Sequence, residues 1–172
     1  AAQASLSHVS FCPVARTVCA AGCDHTGIQA AVDYIRANHN PITQHTCVGV
    51  KDDRTYNEQV TVQGLTVQND AFFIMPDPMV LPARPTLSPP AGSTAAFQIM
   101  NSSVSIFNID VRPAVSVAYG VLASSASVTI SSVNVDDPGG SIWTAGIILS
   151  SQNVLSYSSV TVQNAHGIYL AG

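Results

Sequence analysis

Apolar residues recur along this chain in one spacing: two residues, then three, then two. The pattern is seen at Val60, Val62, Leu65 and Val67, and at Val104, Ile106, Ile109 and Val111. It returns at Val128, Ile130, Val133 and Val135, and again at Leu155, Tyr157, Val160 and Val162. Alternate side chains of a strand share a face, so each two-residue step marks a strand and the three-residue step resets its phase. Each segment therefore predicts a short strand, a two-residue bend and a second short strand. A third apolar strand lies between these units, often opened by glycine: Gly120-Val121-Leu122, Gly146-Ile147-Ile148 and Gly167-Ile168-Tyr169. Ala96 to Ile99 forms a less regular first copy. Successive copies are 24 residues apart from Val104 to Val128, 27 from Val128 to Leu155, 26 from Gly120 to Gly146 and 21 from Gly146 to Gly167. Three short strands per coil predict an all-β parallel β-helix, a solenoid in which a coil buries its inner face only against its neighbours. An antiparallel sandwich is the competing arrangement, but the Asn-Gly and Asp-Gly turns that mark its hairpins are absent.

The first third follows a different period. Between Thr26 and Ala37, Ile28, Ala31, Val32 and Ile35 fall on one helical face. Asp24 or Thr26 is placed to cap the start, and the stretch from Asn38 to Pro41 ends the helix. Thr46 to Val50 reads as the first strand. A solenoid needs its open end covered, and an amphipathic helix ahead of the first rung suits that task. Residues 1–46 are thus expected to form a disulfide-rich segment with a capping helix over about 26–38. Residues 47–172 carry the rungs, continuous with the cap, with a proline-rich excursion at 76–95. The sequence stops at Gly172 part-way through a coil, so the last rung is expected to meet further rungs or another copy.

Cys12, Cys19, Cys23 and Cys47 all lie in this first part. His25 and His45 are near enough in sequence to suggest zinc, but the paired knuckle spacing of a structural zinc site is missing. Two disulfides are the better reading, with Cys12–Cys19 and Cys23–Cys47 the preferred pairing among three. Such bridges point to an extracellular or cell-surface setting.

The run Gly27-Ile28-Gln29-Ala30-Ala31-Val32, then Val50-Lys51, Tyr56, Glu58 and Val60, resembles the entry of the pectin-lyase-like superfamily, especially pectin methylesterases. In that family a helix precedes a strand and a Gly-x-Tyr-x-Glu-x-Val turn; here Arg54 stands at the glycine position. The likeness covers about residues 26–67. It implies a right-handed, single-stranded parallel β-helix, and its residues are structural ones. The esterase chemistry it implies uses two aspartates and an arginine in adjacent rungs, but the family's Gln-Asp-Thr-Leu and Asp-Phe-Ile-Phe-Gly runs are absent.

Composition fits stacked sheets with an uncharged surface. Only 9% of residues are charged, with 6 Lys+Arg against 10 Asp+Glu, and Lys51 is the sole lysine. A nucleic-acid partner needs a basic stripe, and none exists. No apolar run reaches the ~20 residues of a membrane-spanning helix. No charged, apolar leader opens the sequence, so a signal peptide, if there was one, is expected to have been removed.

Shorter excursions at 112–118, 136–144 and 163–166 leave their coils at the same point and are expected to stack along one side. That side is the natural place for a site. Asp136, Asp137, Trp143 and Tyr119 form a candidate glycan-binding group there, since an aromatic face can stack on a sugar ring. The competing readings make the aspartates ordinary turn residues and the tryptophan an anchor for its own loop. Asn108-Ile109-Asp110, Asp136-Asp137 and Ala165-His166-Gly167 loosely resemble polygalacturonase motifs, yet Asp110 aligns with Asn134 rather than Asp136. The family's Arg-x-Lys motif has no counterpart. No catalytic residue, metal site or cofactor is assigned. The sequence favours a non-catalytic structural or adhesive module that stacks end to end on further rungs or identical subunits. A carbohydrate-active β-helix is the alternative.

Overall fold

A computed structural model describes residues 12–68, 70–78, 84–150 and 153–171. The chain opens with β1 (Val14–Val18) and α1 (Ile28–Asn38) and then winds through five turns of three strands. The first turn holds β2 (Thr46–Val50), β3 (Thr55–Tyr56) and β4 (Val60–Gln63). The second holds β5 (Phe72–Pro76), β6 (Thr86–Leu87) and β7 (Ala95–Met100), and the third β8 (Ser103–Phe107), β9 (Asp110–Val111) and β10 (Val117–Ser124). The fourth holds β11 (Ser127–Ser131), β12 (Asn134–Asp137) and β13 (Ile142–Leu149); the fifth β14 (Val154–Ser156), β15 (Ser159–Val162) and β16 (His166–Leu170).

All pairings are parallel and build three sheets. The first sheet runs β1-β2-β5-β8-β11-β14, the second β3-β6-β9-β12-β15 and the third β4-β7-β10-β13-β16. The chain is an all-β parallel solenoid. Equivalent inward residues stack in columns through the turns. Val48, Ile74, Ile106, Ile130 and Leu155 make one in the first sheet. Tyr56, Leu87, Val111, Val135 and Val160 make one in the second, and Val60, Phe97, Val121, Ile147 and Ile168 one in the third. These side chains are buried through the fourth turn and belong to one continuous core.

Several sequence expectations change. The first strand is β1, not Thr46–Val50; Arg16 at its inward position, opposite Val48, hides it from an apolar count. Val60–Val67 is not a copy of the Val104 and Val128 units, because β4 belongs to the third sheet and pairs with β7. In the fifth turn Leu155 stands opposite Ile130, not Val128. Tyr157 then falls on the bend, almost fully exposed with φ +49°, where Asn108 and Ser132 adopt φ +52° and +55°. The stretch 76–95 is two connections, because β6 lies within it.

The disulfides join Cys12 to Cys47 and Cys19 to Cys23, correcting the expected pairing. Once β1 lies beside β2, Cys12 just ahead of β1 is brought to Cys47, with Cα atoms 5.8 Å apart. The tight loop leaving β1 brings Cys19 and Cys23 to 5.6 Å. With all four sulfurs bridged, thiolate binding of zinc is ruled out.

Helix α1 buries Ile28, Ala31, Val32 and Ile35 against β1, β2 and β4. Its cap is neither Asp24 nor Thr26. Gly27 holds the N-cap position without a side-chain bond, and the Glu58 carboxylate accepts from the amides of Ile28 (2.6 Å) and Gln29 (3.1 Å) instead. A carboxylate there meets the free N–H groups and the positive end of the helix dipole. Asp24 accepts from the Thr17 amide and hydroxyl, both at 2.8 Å, and these bonds hold its pKa below the usual carboxylate value. Burial, then the bond from Tyr56 Oη to Asp52 (2.6 Å), pushes the Tyr56 phenol above its ordinary pKa.

Two glycines of the third sheet are fixed by close approach. A Cβ on Gly120 would stand 2.5 Å from the Gly146 carbonyl oxygen and 2.8 Å from Val135 Cγ1, and one on Gly146 would strike Val160. At Gly49 an added Cβ meets nothing within 4 Å. Gly120→Ala should therefore lower unfolding stability by about 1–3 kcal/mol, the usual cost of overpacking. Gly49→Ala should leave it unchanged or raise it by up to about 1 kcal/mol. Denaturant titration of both variants measures the contrast.

Candidate functional site

The excursions at 112–118, 136–144 and 163–166 all connect the second sheet to the third, so they lie along one corner of the solenoid. Asp136 and Asp137 end β12, and their side chains have different fates. Asp137 is 1% exposed, and its carboxylate accepts from the amides of Ser141 (2.8 Å) and Ile142 (2.7 Å). It closes its own loop, with Gly140 at φ +71° making the turn. Asp137 is thus a buried, loop-closing residue rather than a solvated one, its carboxylate committed within the fold.

Asp136 remains half-exposed, with a carboxylate oxygen 3.6 Å from Arg112 Nε. Trp143 lies on β13 and is 63% exposed, so it does not anchor its loop by burial. Its position follows from the strand register. Val117 faces Ile142 and Tyr119 faces Ala145, which leaves Trp143 and Thr144 opposite Ala118 alone. Such a bulge re-aims a side chain. Thr144 Oγ1, beside it, is buried without a hydrogen-bond partner among the described residues. Tyr119 is partly buried on β10.

The densest ionic group centres on Asp110, which the sequence reading considered without its partners. Asp110 is 8% exposed at the start of β9. Its Oδ1 accepts from Arg84 Nε (3.0 Å), Arg84 Nη2 (2.7 Å) and Asn134 Nδ2 (3.0 Å), while Arg112 Nη2 lies 3.6 Å from Oδ2. Arg84 also donates to the Ser132 carbonyl at 2.8 Å, and Ser159 Oγ donates to Asn134 at 2.8 Å. The chain of contacts links the approach to β6 with the third, fourth and fifth turns. The expected alignment of Asp110 with Asn134 is realised. Strand register supplies it, whereas the approach of Arg84 has no periodic signature. Two guanidiniums balance two carboxylates, and Arg112 lies between carboxylates of adjacent turns.

A separate open groove of about 790 Å³ runs along the bends from the third sheet to the first. Leu65, Asn101, Ser102, Ser125, Ser127 and Ser150 are among its lining residues, none of them charged. It is therefore not on the side the excursions suggested. Among the described residues no three His, Cys, Asp or Glu side chains are grouped to hold a metal ion. Among the described residues no helix is long and apolar enough to cross a membrane.

No protein-family model, curated protein or solved structure matches the chain.

The two aspartates separate by experiment. Asp137→Ala removes a buried carboxylate that satisfies two amides and should cost about 2–3 kcal/mol of stability. Asp136→Ala should cost no more than about 1 kcal/mol, as for an exposed ion pair. Equal losses in thermal unfolding would contradict this division.

Proposed function

We propose that the chain is a non-catalytic structural or adhesive module of a secreted or cell-surface protein. In this reading it is the entry portion of a right-handed parallel β-helix of the pectin-lyase-like kind. Helix α1 is its cap, and its fifth turn stacks on further rungs or on an identical subunit. The observation that carries the reading is the contrast between the two ends. At the entry, α1 buries its apolar face on the first turn, and Glu58 and Gln29 tie it there. At the fifth turn the core columns run out into partly exposed Leu155 and Val160 and into Ile168 and Leu170, 50% and 73% exposed. Exposed apolar columns flanked by open strand edges favour a stacking partner. The two disulfides suit an oxidising compartment.

A carbohydrate-active surface is the second reading. It rests on Trp143, thrown outward by its bulge, and on Arg112 between Asp110 and Asp136. Incubating the purified chain with neutral and methyl-esterified acidic polysaccharides distinguishes the two. The structural reading expects neither new reducing ends nor released methanol. Turnover that Asp136→Asn abolishes would overturn it. Binding without turnover, lost in Trp143→Ala, would support the second reading as a lectin-like surface.

A further inference from the structure

One acceptor motif lies at the corner where the third sheet hands the chain to the first. Asn101-Ser102-Ser103 has the form Asn-x-Ser, and no other asparagine of the sequence has Ser or Thr two residues on. That spacing is the acceptor signal for N-linked glycosylation, a modification of exposed loops in secreted proteins. The three residues form the bend between β7 and β8. Asn101 is exposed and Ser103 half-exposed, whereas Ser102 between them is buried. The Ser102 hydroxyl is used inside the fold: it donates to the Met100 carbonyl and accepts from the Leu65 amide, both at 3.0 Å. The bend thus turns the middle residue inward and both signal residues outward. Among the described residues no hydrogen bond engages the side chain of Asn101 or of Ser103.

The bend alone does not call for asparagine. Asn101 has φ +48°, a left-handed conformation that Asn tolerates, but Gly64 and Ser125 take φ +67° and +49° at the same corner. Those two flank it in the stack: the Gly64 amide donates to the Met100 carbonyl at 3.4 Å, and the Asn101 amide to the Ser124 carbonyl at 3.3 Å. Neither crowds it. Gly64 has no side chain, and a Cβ added there would meet nothing within 4 Å. Asn101 also lines the open, uncharged groove of about 790 Å³, together with Ser103, Ser125 and Ser127. The first sugars of an attached chain have room there and hydroxyls to meet.

We propose that Asn101 is an N-glycosylation site. The donor is an oligosaccharide carried on a polyprenyl diphosphate. The Asn101 amide nitrogen bonds to the anomeric carbon, and the bond from that carbon to the diphosphate oxygen breaks. Polyprenyl diphosphate leaves, and the amide gives up one proton. The Ser103 hydroxyl completes the signal that the transferring enzyme reads. The glycan would cover the bends from the third sheet to the first and leave the corner of Asp136 and Trp143 open. The proposal rests on the secreted reading above, which the two disulfides favour.

The test is expression of the 172-residue chain behind a cleavable leader in the secretory pathway of a eukaryotic cell. Intact mass is read before and after an amidase that cuts the glycan–asparagine bond, and peptide masses locate the asparagine it converts. The expected result is one glycan per chain, on Asn101. It should be lost in Asn101→Gly and in Ser103→Ala and kept in Ser103→Thr. Glycine suits the left-handed bend, and circular dichroism checks that each variant folds. A secreted, folded and disulfide-bonded chain without a glycan on Asn101 overturns the proposal and leaves the secreted reading standing. A glycan that survives Ser103→Ala overturns it too. A chain that fails to form its disulfides in that compartment overturns the secreted reading and the proposal with it.

Discussion

An interior turn of this chain cannot bury its apolar side chains alone; it is covered by the turn before and the turn after. That constraint fixes the rest. Val48, Ile74, Ile106 and Ile130 are fully covered because register places them in line through parallel strands. A one-residue slip in any strand would carry its inward set to the surface. The bends hold the register. Asn108, Ser132 and Tyr157 adopt positive φ at one corner, and Gly64, Asn101 and Ser125 at another. Gly120 and Gly146 hold it at the third sheet, where a neighbouring carbonyl and a valine methyl leave no room for a Cβ.

The same constraint makes the ends the informative places. A stack of parallel strands leaves a row of unpaired backbone groups at each end, and those groups need partners. Around α1 side-chain bonds run in both directions: Glu58 reaches from the coil to two helix amides, and Gln29 reaches from the helix to the backbone of Thr61. The two are about thirty residues apart in sequence and neither belongs to the apolar repeat. Each supplies hydrogen bonds where the repeat supplies none.

Most of the architecture was legible because strand periodicity and stacking leave an apolar trace. The Val104 and Val128 units lie in register as spaced, and the two-residue bends fall where the three-residue steps put them. The failures share a cause, which is that position in a coil is set by neighbours the sequence does not display. Arg16, received by Tyr34 of α1, takes an inward position between Val14 and Val18 and so interrupts the apolar alternation of β1. Val60–Val67 copies the spacing of another corner. Tyr157 is apolar enough to count as core yet sits on a bend. The cysteine pairing depends on β1 lying beside β2. The candidate site was less legible. Asp136 and Asp137 are adjacent and chemically identical, and only the loop closing on Asp137 separates them. The bulge that turns Trp143 outward depends on pairing with β10.

The central claim is that Gln29 of α1 gives the β4 backbone the contacts a neighbouring strand would give, whereas β14, β15 and β16 are edge strands of this chain's sheets. Residue-resolved amide hydrogen exchange, at a concentration where the chain is monomeric, tests it most directly. The account predicts slow exchange at Thr61, whose amide Gln29 receives, and fast exchange at alternate amides of β14, β15 and β16 along the open edge. Gln29→Ala should release Thr61 and leave the interior turns protected. Exchange at Thr61 as free as on the edge of β16, or equal protection at both ends, would contradict it.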